Sequence, residues 1–131
     1  MIGDVTGFAL HWEGQQEGAF WISGDTVLYD GVREVAERLQ VDTALLHLGA
    51  VRFPVTGRLR YTMTGREAVE LCRLIRPRTV IPVHYEGWKH FTEGRAAVEC
   101  AFAAGPADLR ERVRWLELGV PEPATRNGGQ P

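Results

Sequence analysis

The sequence predicts an α/β layer built on a largely parallel sheet, and three observations carry that expectation. Short apolar runs at Ala19-Phe20-Trp21-Ile22, Thr43 to Leu48 and Thr79 to Val83 alternate along the chain with segments of helical periodicity. The runs are nearly continuous in apolar residues, as in strands covered on both faces. At 131 residues the chain is the size of one domain or part of one.

Gly7 to Trp12 alternates through Phe8, Leu10 and Trp12 and reads as a first strand. Glu13 to Gly18 is polar, with two glycines, and makes a hairpin-length turn into the strand Ala19 to Ile22. Val32, Val35, Ala36 and Leu39 then recur at i, i+3, i+4 and i+7, a one-faced helix for which Asp30 is the expected cap. Thr43 to Leu48 is the next strand, with His47 inside it. Gly49 to Tyr61 holds Pro54 and Gly57 and is a long loop, of the length that often carries function.

Thr64-Gly65-Arg66-Glu67 has the pattern of a capping box, in which a threonine hydroxyl and a glutamate three residues on satisfy each other's backbone N–H groups. Ala68, Leu71, Cys72 and Ile75 continue it as an apolar helical face that Pro77 stops. Thr79 to Val83 is a strand in which Pro82 implies an edge position or the strand's end. Glu93 to Ala104 reads as a helix with Ala97, Val98, Ala101 and Phe102 inward, broken by Gly105-Pro106. Val113 to Leu118 alternates as a last strand, so the expected domain is 1–118. The Pro- and Gly-rich residues 119–131 read as a disordered tail.

Composition excludes several classes. Hydrophobic residues make up 44% and charged residues 24%, enough apolar surface for a core, which argues against disorder. No stretch approaches the ~20 uncharged apolar residues of a membrane span. With 15 basic against 17 acidic residues the net charge is −2, so no basic nucleic-acid surface is indicated. Cys72 and Cys100 are too few and too far apart for a disulfide scaffold, and each completes an expected apolar helix face as core. Met1 to Asp4 lacks the basic and apolar regions of a secretory signal, so a cytoplasmic setting is expected.

Two residues of metal-ligating type stand at the carboxyl ends of apolar strands, Asp25 after Phe20-Trp21-Ile22 and His84 after Val80-Ile81-Pro82-Val83. Ligands of open α/β sheets bind beyond those strand ends, and a carboxylate with an imidazole suits zinc, manganese or iron. Spacing alone favours plainer roles, a turn or helix cap for Asp25 and a hydrogen-bonded surface residue for His84. His47 reads as a satisfied core histidine and His11 as solvent-facing. Trp88, Lys89, His90 and Phe91 either line a pocket mouth or begin a helix. No Gly-x-Ser-x-Gly elbow, aspartyl-phosphate pattern or Gly-rich phosphate loop is present.

The ordered strings Ile22-Ser23-Gly24-Asp25-Thr26, Leu46-His47-Leu48-Gly49, Tyr61-Thr62-Met63-Thr64 and Ile81-Pro82-Val83-His84-Tyr85 resemble those of the metallo-β-lactamase-fold hydrolases, in particular the ascorbate-6-phosphate-lactonase-like branch. The resemblance covers roughly Asp4 to Phe91. It implies that Asp25 bridges two metals and that His84 is a ligand of one, with zinc or manganese as the divalent cation. Tyr61 and Trp88 are the candidate substrate contacts.

The family's early His-x-His-x-Asp-His run has no counterpart here, and His11 is the one histidine upstream of Asp25. The resemblance therefore implies the C-terminal half of an αββα sandwich, one mixed sheet with helices on one face. The expected function is that of a partial metal-dependent hydrolase, inactive alone. Its parent chemistry is attack of metal-activated water on a small-molecule ester, lactone or phosphoester. The expected partner is a missing N-terminal half or a second copy of the chain. A non-catalytic half-domain that dimerises or binds a partner is the alternative, and an unrelated flavodoxin-like binding domain a third reading.

Overall fold

The computed structural model describes residues 5–15 and 17–124. Among these residues, five α-helices and one mixed sheet of four strands form an α/β unit, in agreement with the expected fold class. The sheet comprises β1 (Phe8–Leu10), β2 (Ala19–Ile22), β3 (Val41–His47) and β4 (Thr79–Val83), in that spatial order. β1 and β2 form the expected antiparallel hairpin. β2, β3 and β4 run parallel, each linked by a helical crossover as parallel strands require. β4 is an edge strand with Pro82 next to its end, where the missing N–H does least harm to the ladder.

Register divides the sheet into two faces. Trp21, Ala44 and Val80 are direct partners. They share one core with Leu46, with Ala68, Leu71, Cys72 and Ile75 of α3 (Gly65–Ile75), and with Val98 and Phe102 of α4 (Arg95–Ala103). Adjacent strand residues point to opposite faces, so Phe8, Ile22, Leu45 and Ile81 form a row on the other side, next to Leu10 and Phe20. None of that row joins the core cluster. Phe8 and Leu10 remain 56% and 45% exposed.

α3 begins at the expected capping box. Thr64 Oγ1 accepts from the Glu67 backbone N–H at 3.1 Å, and Glu67 Oε2 accepts from the Thr64 N–H at 2.9 Å. The helix ends in a left-handed turn at Arg76 just before Pro77. α3 and α4 meet closely at Gly65, where a Cβ would stand 2.8 Å from that of Ala101.

Several expectations are corrected. The first helix is two short pieces, α1 (Asp30–Arg33) and α2 (Val35–Arg38). Asp30 lies inside α1's first turn and does not cap it: Tyr29 holds the cap position, with no side-chain cap bond. Val32 is buried, and Val35, Ala36 and Leu39 pack against the core as expected.

On α4 Ala97 is exposed, and Cys100 is exposed rather than core, while Cys72 is buried. A helix not foreseen, α5 (Ala107–Arg112), buries a single apolar residue, Leu109. Val113 to Leu118 is not a strand; it meets the sheet through one parallel bridge, Val113 to Val80, and the backbone bond from the Arg114 N–H to the Val80 carbonyl. The alternation there reflects Trp115, which meets Phe102 and Tyr85 edge-on. Of the segment read as a disordered tail, Glu122 and Pro123 are bonded by the Arg114 guanidinium. Residues 125–131, and Met1 to Asp4 at the other end, lie outside the described residues.

Candidate metal and substrate site

Three parallel strands deliver three polar side chains to one edge of the sheet. Asp25 follows β2, His47 ends β3 and His84 follows β4. His84 Nδ1 lies 3.6 Å from Asp25 Oδ1, too long for a hydrogen bond and short enough for both atoms to face one ion. His84 Nδ1 is buried and has no hydrogen-bond partner. Leaving a buried polar atom unpaired is costly, so this nitrogen is a donor atom with a place for a ligand. The sequence-predicted pair is thus brought together.

His84 is also held in an unusual backbone state, with φ at 61°. A non-glycine residue in the left-handed region persists where the surroundings dictate it. The surroundings here are two loops laced together. Thr92 and Glu93 donate their backbone N–H groups to the Gly49 carbonyl, at 2.9 and 3.1 Å. Thr92 Oγ1 donates to the Ala50 carbonyl at 2.7 Å, and the Arg52 N–H donates to the His90 carbonyl at 3.1 Å. Phe91 stands edge-on to the His84 ring at 4.9 Å.

His47 departs from its expected role. Its Nδ1 is buried without a hydrogen-bond partner, so it is not a satisfied core histidine, and its ring lies 5.5 Å from that of His84. Burial lowers its pKa; the Asp25 carboxylate pulls the other way, and His84 adds to the lowering. Its backbone N–H donates to Ser23 Oγ at 3.0 Å, which ties the β3 end to the β2 end. The missed signal was positional: His47 ends its strand just as Asp25 and His84 follow theirs. His11 is exposed, as expected.

Beside the pair lies a cavity of about 360 Å³ lined by Phe53, Tyr61, Trp88, Phe91 and Glu86 together with Asp25 and His84. Tyr61 and Trp88, the expected substrate contacts, are therefore in the site's wall. Of the segment 88–91, Trp88 and Phe91 line the cavity and Lys89 and His90 do not, and the segment forms no helix. Phe91 lies where the pocket-mouth reading of residues 88–91 put it, whereas Phe53 and Glu86 were not anticipated, because they come from loops with no periodicity.

Asp25 and His84 suit a divalent cation by donor type and by the unpaired nitrogen, but they are two ligands, and a catalytic zinc normally has three from protein. Among the described residues no group of three or more His, Cys, Asp and Glu side chains is arranged to hold an ion. The fit is that of a partial ligand set. Among the same residues, no helix is long and apolar enough to cross a membrane.

No family model matches the chain. It is 32% identical over 118 residues to a UPF0173 metal-dependent hydrolase of Solibacter usitatus, covering 90% of this chain and 42% of that protein. A second protein of that name, from Pelotomaculum thermopropionicum, is 30% identical and is again 42% covered, with 79% of this chain aligned. Among solved structures, the isothiocyanate hydrolase from Delia radicum gut bacteria superposes with a TM-score of 0.69 at 19% identity, over 86% of this chain and 42% of that one. These likenesses support a metallo-β-lactamase-like family and its fold. The chain spans about two fifths of the length of these relatives.

Proposed function

We propose that the chain is the C-terminal half of a metal-dependent hydrolase of the metallo-β-lactamase-like fold, from the ascorbate-6-phosphate-lactonase-like branch. In this reading residues 1–118 form the half-domain and 119–131 lie outside it. Asp25 and His84 hold a divalent cation, zinc or manganese, and a segment outside this chain supplies the remaining ligands. The single observation that carries the reading is the meeting of Asp25 and the unpaired His84 Nδ1 at one sheet edge.

When bound, such a cation lowers the pKa of water and so supplies a nucleophile at neutral pH. The chain's own residues do the rest: the Gly49 and Thr92 bonds hold together the two loops beside His84, while Tyr61 and Trp88 bound the space open to a small-molecule substrate. The setting proposed is cytoplasmic.

The test is an assay of the isolated chain on lactone and phosphodiester substrates with added zinc or manganese. The reading predicts little or no turnover. Robust turnover that disappears in Asp25→Ala would overturn the incomplete-site reading. A second reading, a non-catalytic module that self-associates or binds a partner, is favoured by the exposed sheet face at Phe8 and Leu10.

A further inference from the structure

The cavity beside Asp25 and His84 has a chemical character that separates substrate classes. Four aromatic side chains, Phe53, Tyr61, Trp88 and Phe91, line it together with Val5 and Val51. They brace one another through neighbouring rings. Phe53 meets Tyr61 edge-on at 5.1 Å and His90 at 4.6 Å, Trp88 meets His90 at 5.9 Å, and Phe91 meets His84 at 4.9 Å. The walls are thus preorganised for a flat apolar body, and about 360 Å³ is the size of a small organic ligand.

The charged groups of the lining are carboxylates. Asp25 and Glu86 line the cavity, and among the described residues no Lys or Arg does. Phosphate and carboxylate groups are normally recognised by Arg, Lys or a cluster of backbone N–H groups. A cation at Asp25 and His84 would reverse the local charge there, but the aromatic wall and the Glu86 carboxylate would still face the rest of the substrate.

Resting on the hydrolase reading of this site, we infer that the chain recognises an uncharged ester or lactone with an aromatic or similarly flat apolar body, and discriminates against phosphoesters. The body stacks among Phe53, Tyr61, Trp88 and Phe91 and turns its acyl carbon towards Asp25 and His84. In the completed enzyme the oxygen of water bonds to that carbon and the carbon–oxygen bond to the leaving group breaks. The electron pair stays on the leaving oxygen, which takes a proton from the water. An acid and an alcohol result, with no other reactant consumed.

The test is a binding titration of the full chain, without divalent cation, using two probes that share one body: 2-methoxynaphthalene, uncharged, and 2-naphthyl phosphate. Binding is read by NMR from the Trp88 indole N–H signal and the Tyr61 ring signals, the latter serving for Trp88→Ala. The uncharged probe should shift those signals and bind at least about tenfold more tightly than the phosphate. Trp88→Ala and Phe53→Ala should each weaken it about three- to tenfold, the range of aromatic contacts, and Glu86→Gln should narrow the gap by strengthening phosphate binding. Trp88 is 68% exposed, so its removal leaves the core intact. Equal or tighter phosphate binding, shifts confined to other parts of the chain, or no binding of either probe would overturn the inference. Because no cation is present, failure of the metal reading would show separately, in a cation titration of the same sample.

Discussion

A Cβ placed on Gly49 would stand 2.6 Å from the carbonyl oxygen of His84 and equally close to Phe91 Cδ1. Gly49 also has φ at +88°, a conformation that disfavours any side chain. The turn after β3 therefore sets where His84 and its aromatic neighbour stand. Gly49→Ala should destabilise the chain by about 1–3 kcal/mol and displace both side chains. Thermal melts and the ring signals of His84 and Phe91 report this. An unchanged melt with unshifted rings would show that the close approach is not a constraint.

The capping box joins α3 to the loop that carries Tyr61, because Glu67 also binds Arg60 at 2.6 Å. Thr64→Ala removes the acceptor for the Glu67 N–H and should cost about 0.5–2 kcal/mol. Thr64→Ser should recover most of it, since a serine hydroxyl caps equally well. Equal losses for the two variants in chemical denaturation would point to the lost methyl group instead.

The two cysteines should behave oppositely. Cys100 is exposed and should react with a thiol reagent in the native chain; Cys72 is buried and should be spared until unfolding. Burial pushes the Cys72 thiol from its ordinary 9.0 up to about 12, with a smaller opposing pull from the Arg112 guanidinium. The folded state thus holds the proton more tightly than the unfolded one. This contribution to stability is complete below pH 9 and is lost as pH rises from 9 towards 12, at up to about 1.4 kcal/mol per pH unit. Stability measured across that window should fall less steeply in Cys72→Ala than in the parent. Parallel slopes would contradict the assignment.

The face bearing Phe8, Leu10, Phe20, Ile22 and Leu45 is apolar and only partly covered. Exposed apolar patches drive association. The isolated chain should scatter light as more than a monomer, or bind a dye that reports apolar surface. Phe8→Ser with Leu10→Ser should reduce both signals without loss of the helical far-UV signal. A monodisperse, dye-silent parent chain would show that the face covers itself.

What was legible in the sequence was what periodicity and strand ends encode. Ala68, Leu71, Cys72 and Ile75 gave α3 and its buried face, and Thr64 with Glu67 gave its start. Asp25 and His84 were marked by the apolar runs before them, which the parallel register aligns. α5 was hidden because one buried residue, Leu109, makes no periodic stripe. His47 was hidden because a histidine within an apolar strand has the same sequence pattern whether it is core or site. Pairing with Val83, the residue before His84, is what sets it at the edge. Trp88 and Phe91 were named from their place after His84, but their meeting with Phe53 depends on bonds between distant loops, such as Arg52 to His90, which no local pattern announces.

The most direct test of the central claim is a zinc titration of the full chain, followed through the imidazole nitrogen signals of its histidines. The account predicts weak, saturable binding that shifts the His84 nitrogens, since two ligands hold the ion less firmly than three. Asp25→Ala should weaken that binding at least about tenfold. Shifts confined to His11 and His90, or a titration that Asp25→Ala leaves unchanged, would contradict the assignment of Asp25 and His84 as a metal-ligand pair.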